Sequence, residues 1–174
     1  MVCNRKKKER HMEKESILNE KLNLTEWCRG LKSVPDDIWF QPFRNGSWGI
    51  ADVISHFIVW DGFLMRSRLP YFISGESLPY VSIDVDEMNK GAINYARSGT
   101  SKEEVINQFI FTRKRLVSFI ERLPARNFNS YYQFGKESMK LSDYFLSLVQ
   151  HDIKHKEEIV DFLEGKQIKL DKLY

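Results

Sequence analysis

The chain of 174 residues carries 27 Lys+Arg against 24 Asp+Glu, with 42% hydrophobic and 13% aromatic residues. That suits one domain with a sizeable core and excludes collagen-like, mucin-like, disulfide-knot and globally disordered classes. Charge is uneven: residues 1–12 hold a net +4 and the remainder −1, so the basic character belongs to a leader and not to the domain.

The expected organisation is a basic, disordered leader over 1–12 and a single domain over 13–174. Basic runs of this kind bind phosphate backbones in some proteins, but the near-neutral domain offers no further basic stripe, and a nucleic-acid partner is not expected. No apolar run approaches the ~20 residues of a membrane span. No secretory pattern follows the charged start, and Cys3 and Cys28 form no metal or redox motif. A cytoplasmic, reduced protein is the expectation.

Helix one is predicted over Lys14–Lys32, where Ile17, Leu18, Leu22, Leu24, Cys28 and Leu31 form an apolar stripe. Gly30 and Pro35 end it. Helix two is predicted from a Ser47 N-cap to about Arg66, with Ile50, Val53, Phe57, Trp60 and Leu64 on its core face. Residues 70–100 form a long crossover with a short helix near Asp86–Ala96. Helix three opens on two overlapping capping boxes, Thr100/Glu103 and Ser101/Glu104, and stops at Pro124. Residues 125–140 are mixed, with Tyr131, Tyr132 and Phe134 covering one end. Helix four runs over Ser142–Glu164, capped by Ser142, with Leu141 stapling Leu146 and Gly165 as its stop. With no convincing hairpin, the expected fold class is all-α: a four-helix bundle with a long crossover between helices two and three.

The informative feature is a polar intrusion into an apolar stripe. At ~100° per residue, His151, Asp152 and His155 fall inside the apolar arc of helix four. Buried polar groups need partners. Histidines four apart on one helix face can serve one metal ion, although the spacing alone is a weak signal and core histidines often only donate to a carbonyl. His56 lies on the flank of helix two's core face. The chain has 4 histidines, and all but the leader's His11 sit near inward faces. If helices two and four are neighbours, His56, His151 and His155 converge as an open three-imidazole site. Asp152 is read either as an acceptor for an imidazole N–H or as a salt-bridge partner of Arg113 or Arg115, and Asp61 has the same ambiguity. Glu157 and Glu158 read as solvated surface. Trp39, Trp48, Trp60 and Phe63 are candidates for a pocket wall or for plain core.

The stretch Trp48-Gly49-Ile50-Ala51-Asp52-Val53-Ile54-Ser55-His56 and the later His151-Asp152-Ile153-Lys154-His155 resemble the DinB/YfiT-like superfamily. Asp86-Glu87-Met88-Asn89 is similar to the central segment of some members. The resemblance spans approximately residues 15–164. It implies a four-helix bundle holding a divalent metal ion, nickel or zinc, on His56, His151 and His155. Relatives include thiol S-transferases and a thiol-dependent isomerase, so a low-molecular-weight thiol is an implied co-substrate.

The resulting expectation is a metal-dependent enzyme acting on a small-molecule substrate, the metal activating a thiol or water for S-transfer or hydrolysis. Asp152 is the candidate for the general base. The alternative is a non-catalytic small-molecule-binding or stress-protection bundle with a structural metal or none. The fold does not decide between them, and a homodimer is left open.

Overall fold

The computed structural model describes the backbone of residues 2–170 and the side chains of residues 13–170. The backbone of residues 2–12, expected as a leader before a helix starting near Lys14, is part of α1 (Val2–Gly30), and the side chains of 1–12 lie outside those described. In chain order the elements are α1 (Val2–Gly30), a 3-10 turn (Leu31–Ser33), α2 (Asp36–Trp39), α3 (Ile50–Ser67), α4 (Leu69–Ser74), α5 (Val85–Ala96), α6 (Lys102–Glu121), α7 (Ala125–Phe128), β1 (Tyr131–Phe134), β2 (Glu137–Lys140) and α8 (Leu141–Gly165). Among the described residues no helix is long and apolar enough to cross a membrane.

Four long helices make the bundle. α1 packs on α6 and α8, and α3 packs on the same two, so the order around the core is α1, α6, α3, α8. The chain reaches α6 from α3 by the expected long crossover, whose own helix α5 lies along α3. α3 sits against α5 and α6 more closely than against α8.

The core divides along the bundle axis. At one end Leu24, Cys28, Trp39, Ile50, Ile54, Phe57, Phe109 and Ile159 pack together. At the other, Ile17, Leu64, Phe72, Leu116, Phe128, Phe145 and Val149 do. Between the two lies a charged layer to which each long helix contributes one side chain: Lys21 from α1, Asp61 from α3, Arg113 from α6 and Asp152 from α8, all buried. Lys21 Nζ is 2.7 Å from Asp152 Oδ2, Arg113 Nε donates to Asp61 Oδ2 at 2.6 Å, and Arg113 also donates to the Asp152 carboxylate. Two cations face two carboxylates, which is the condition for tolerating charges at this depth.

Several local expectations change. α3 begins at Ile50 with Gly49 as N-cap, and the Gly49 N–H donates to Asp52 Oδ2 at 2.9 Å. A carboxylate at the third helical position satisfies the free amide that Ser47 was expected to serve. Ser47 instead closes the preceding turn, its hydroxyl bonded to the Arg44 carbonyl. At α6 the Ser101/Glu104 box forms. α8 starts at Leu141 after Lys140, and the expected staple is not made, because Leu141 is fully buried and Leu146 is exposed.

The mixed stretch contains a hairpin that sequence reading missed. β1 and β2 pair antiparallel from Tyr131↔Lys140 to Phe134↔Glu137 around Gly135-Lys136, with Gly135 at φ 64°. Tyr132 is buried against Phe72, and Phe134 stacks on Tyr144. Tyr131 points outward, so two of the three named aromatics cover the bundle end.

Candidate metal centre

The start of α3 is held from two sides. Besides capping Gly49, Asp52 accepts from Arg97 Nε and Nη2 at 3.1 and 2.7 Å, which ties the end of α5 to the first turn of α3. Gly49 lies so close to residue 41 that a Cβ built on it would meet the Gln41 carbonyl oxygen at 2.6 Å. Trp48 is thereby turned onto the site, its ring 5.0 Å from that of His56 and stacked on His155 at 5.9 Å.

His56 from α3 meets His151 and His155 from α8. One nitrogen from each ring lies within 4.8 Å of the others. Ring centroids are 5.2 Å apart for His56–His151 and His56–His155, and 4.6 Å for His151–His155. The convergence expected if helices two and four are neighbours is present. The burial is graded: His56 is buried, His155 half-buried and His151 exposed. The apolar arc of α8 therefore opens at this point into a cavity of about 510 Å³ between α3, α5 and α8, with the charged layer as part of its lining.

The hydrogen bonds orient two of the rings. His56 Nδ1 lies 3.0 Å from Asn89 Oδ1, and the same oxygen accepts from Trp60 Nε1 at 3.1 Å. Indole N–H only donates, so that Asn89 atom is an acceptor, and His56 Nδ1 carries the proton. His56 Nε2 is then a lone-pair nitrogen, and it is buried without any hydrogen-bond partner. His155 Nδ1 lies 2.8 Å from Glu158 Oε2, which likewise directs its proton outward and its Nε2 inward. An orphaned, buried acceptor aimed into a three-imidazole cluster is what a divalent ion would satisfy, so the donor set fits the metal ion that the resemblance implies.

Electrostatics agree. Burial, followed by the proximity of His155 and His151, holds His56 down at about 3, so it stays neutral and available as a ligand well into acid. His151 is lowered in the same direction by desolvation among the rings and by His155. Burial pushes Asp152 up, but Arg113 and Lys21 outweigh it and hold the carboxylate at about 2.

Asp152, the general-base candidate, thus bonds to Arg113 and Lys21 and not to an imidazole. Of its two expected roles, the salt bridge to Arg113 is the one formed. Asp61 resolves the same way. Glu158, read as plain surface, is corrected: it is the acceptor that orients His155. Trp48 and Trp60 wall the cavity, whereas Trp39 is core and Phe63 lines a different cavity. Two site residues went unassigned in the sequence. Lys21 had a signal, lying in the Ile17–Leu24–Cys28 stripe. Asn89 had only its place in the Asp86–Asn89 similarity.

The DinB superfamily model matches residues 23–159. Among solved structures, the chain is similar to YfiT from Bacillus subtilis, described as a probable metal-dependent hydrolase with an unusual four-helix bundle topology. That match has a TM-score of 0.69 at 14% identity, over 90% of this chain and 89% of that one. It is also similar to the mycothiol-dependent maleylpyruvate isomerase, with a TM-score of 0.61 at 18% identity, over 82% of this chain and 60% of that one. Among curated protein sequences none matches the chain. The bundle architecture and the family match over most of the chain agree: this protein belongs to the DinB superfamily.

Proposed function

We propose that this protein is a divalent-metal-dependent enzyme acting on a small molecule, with His56, His151 and His155 as the metal ligands. The observation that carries the reading is the buried, partnerless Nε2 of His56, whose ring belongs to the three-histidine cluster. A divalent ion bound there supplies Lewis acidity, lowering the pKa of a coordinated thiol or water. The chain's own residues supply the rest. Asn89 and Glu158 fix the ring tautomers, and Trp48 and Trp60 screen the cavity from bulk water. The Lys21–Asp61–Arg113–Asp152 layer holds the helices at that level of the bundle. The bonded carboxylate of Asp152 favours this anchoring role over proton transfer.

The two solved structures support the reaction class. One is described as a probable metal-dependent hydrolase and the other as a mycothiol-dependent isomerase. Thiol transfer or hydrolysis with nickel or zinc at the site is the corresponding reading here. The test is elemental analysis of purified protein beside a His155→Ala variant, followed by a turnover screen with low-molecular-weight thiols and esters. Near-stoichiometric metal in the wild type, lost in the variant, is expected. Equal occupancy in both would remove the ligand set.

A further inference from the structure

A second cavity, of about 350 Å³, lies beside the metal cavity where α3 ends. The two share walls. Trp60 lines the first and Phe63 the second, and their rings meet edge to face at 5.8 Å. The crossover also serves both, with Ile83 before α5 lining the outer cavity and Val85, the first residue of α5, the inner one.

The outer cavity holds a cation. The Arg68 guanidinium lies over the rings of Phe63, Phe134 and Tyr144 at 5.4, 5.3 and 5.2 Å. Its hydrogen bond goes from Nη1 to the neutral Tyr144 hydroxyl. Among the described residues no carboxylate lies within ion-pair distance of it, whereas the buried Arg113 faces two. Arg68 is half-buried among three aromatic rings, and among the described residues its one side-chain hydrogen bond uses Nη1, which leaves guanidinium N–H donors for an acceptor from outside the chain.

We infer that Arg68 binds a carboxylate on the far end of the substrate or thiol co-substrate whose reacting end lies at the three histidines. The helices supply the ruler. Phe63 is seven residues beyond His56 on α3, and Tyr144 is seven before His151 on α8. At 1.5 Å per residue each interval is about 10 Å. The favoured ligand is therefore elongated, with an apolar or amide-linked middle lying against Trp60, Phe63 and Leu64, and a carboxylate about that distance from the atom that reacts. A single planar cation selects a carboxylate over a phosphate ester, which usually recruits several donors. The inference rests on the metal reading for where the reacting end sits, but not for the carboxylate site itself.

The experiment has two arms. In the first, cobalt(II)-loaded protein is titrated with ω-mercaptooctanoate, ω-mercaptooctanol and mercaptoacetate, and the cobalt–thiolate absorption is followed. The long carboxylate should bind about tenfold more tightly than the long alcohol, the increment of one charge-assisted bond. Mercaptoacetate, too short to reach both ends, should gain nothing from Arg68. Arg68→Met, which keeps the stem over the rings, should abolish the preference, and Arg68→Lys should retain part of it. In the second arm, calorimetry follows octanoate and octanol on metal-free protein; octanoate should weaken about tenfold in Arg68→Met with octanol unchanged.

If no thiol gives a cobalt band while octanoate still depends on Arg68, the metal reading fails and the carboxylate site stands. If the bands appear but neither arm responds to Arg68, the carboxylate site is overturned and the metal reading stands. Should the methionine variant not fold, the lysine variant decides: a carboxylate preference equal to wild type in both arms overturns the assignment.

Discussion

Asn89 Oδ1 lies 3.0 Å from His56 Nδ1 and makes the crossover helix α5 part of the candidate metal centre. The same oxygen takes the Trp60 indole N–H, so one amide fixes both the His56 ring and a cavity wall. Groups that orient metal-bound histidines typically tune affinity by about 10–100-fold. Asn89→Leu is expected to weaken metal binding by that factor, measured by competition with a chromophoric chelator. Glu158→Gln, acting on the more exposed His155, should cost less. An Asn89→Leu protein with wild-type affinity would show that the amide positions nothing.

The charged layer makes a prediction about stability. Arg113 is fully buried between Asp61 and Asp152, and replacing it with Met leaves two buried carboxylates with Lys21 alone. Breaking a buried ion network by removing one member costs about 3–5 kcal/mol. Urea unfolding of Arg113→Met should show a loss of this size. A loss below about 1 kcal/mol would mean that water or relaxation already compensates the layer.

The parts of this site legible in the sequence are those that rare residue types mark. Three of the chain's 4 histidines lie near predicted inward faces, which marks His56, His151 and His155 as candidates from residue type and periodicity. Asp61 and Asp152 stood out as polar residues near apolar stripes, and Arg113 was named only beside Arg115 as a salt-bridge partner for them. Lys21 stood in one too, but a lysine's long stem is easily read as reaching solvent. Which helices neighbour one another is not written in periodicity: α1 and α3 both touch α6 and α8, and that order brings His56 to His151. Asn89 and the hairpin were hidden for a related reason. A lone amide on a short helix and strands of 4 residues leave no period to count.

Acid should destabilise the metal-free protein through His56. Its pKa is about 3 in the fold, against about 6.5 for an unfolded histidine. Between those values the unfolded chain binds the proton and the native one does not, so stability rises with pH across the window. The contribution is complete above about pH 6.5 and is lost as pH falls toward 3. Asp152, held at about 2, adds a further loss below about pH 4, where an unfolded carboxylate protonates and the native one resists. Chemical denaturation of chelated protein between pH 7 and pH 4 should show this slope, and His56→Leu should flatten it. An unchanged slope in the variant would assign the acid sensitivity elsewhere.

Two glycines should respond to alanine with opposite signs. At Gly49 the new Cβ would meet the Gln41 carbonyl oxygen at 2.6 Å and its carbon at 3.1 Å, both backbone atoms that cannot rotate aside. Relief requires moving the 41–49 turn, which carries Trp48 on the His155 and His56 rings. Overpacking of this kind costs about 1–3 kcal/mol. The displaced Trp48 should also change tryptophan fluorescence and weaken metal binding. At Gly91, inside α5, a Cβ meets nothing within 4 Å, and alanine restricts the unfolded chain, so a gain of about 0.4–1 kcal/mol is expected. Denaturant midpoints of the two variants check both signs. A neutral Gly49→Ala with unaltered metal affinity would show that the turn is free to yield, and would detach the position of Trp48 from the packing of residue 49.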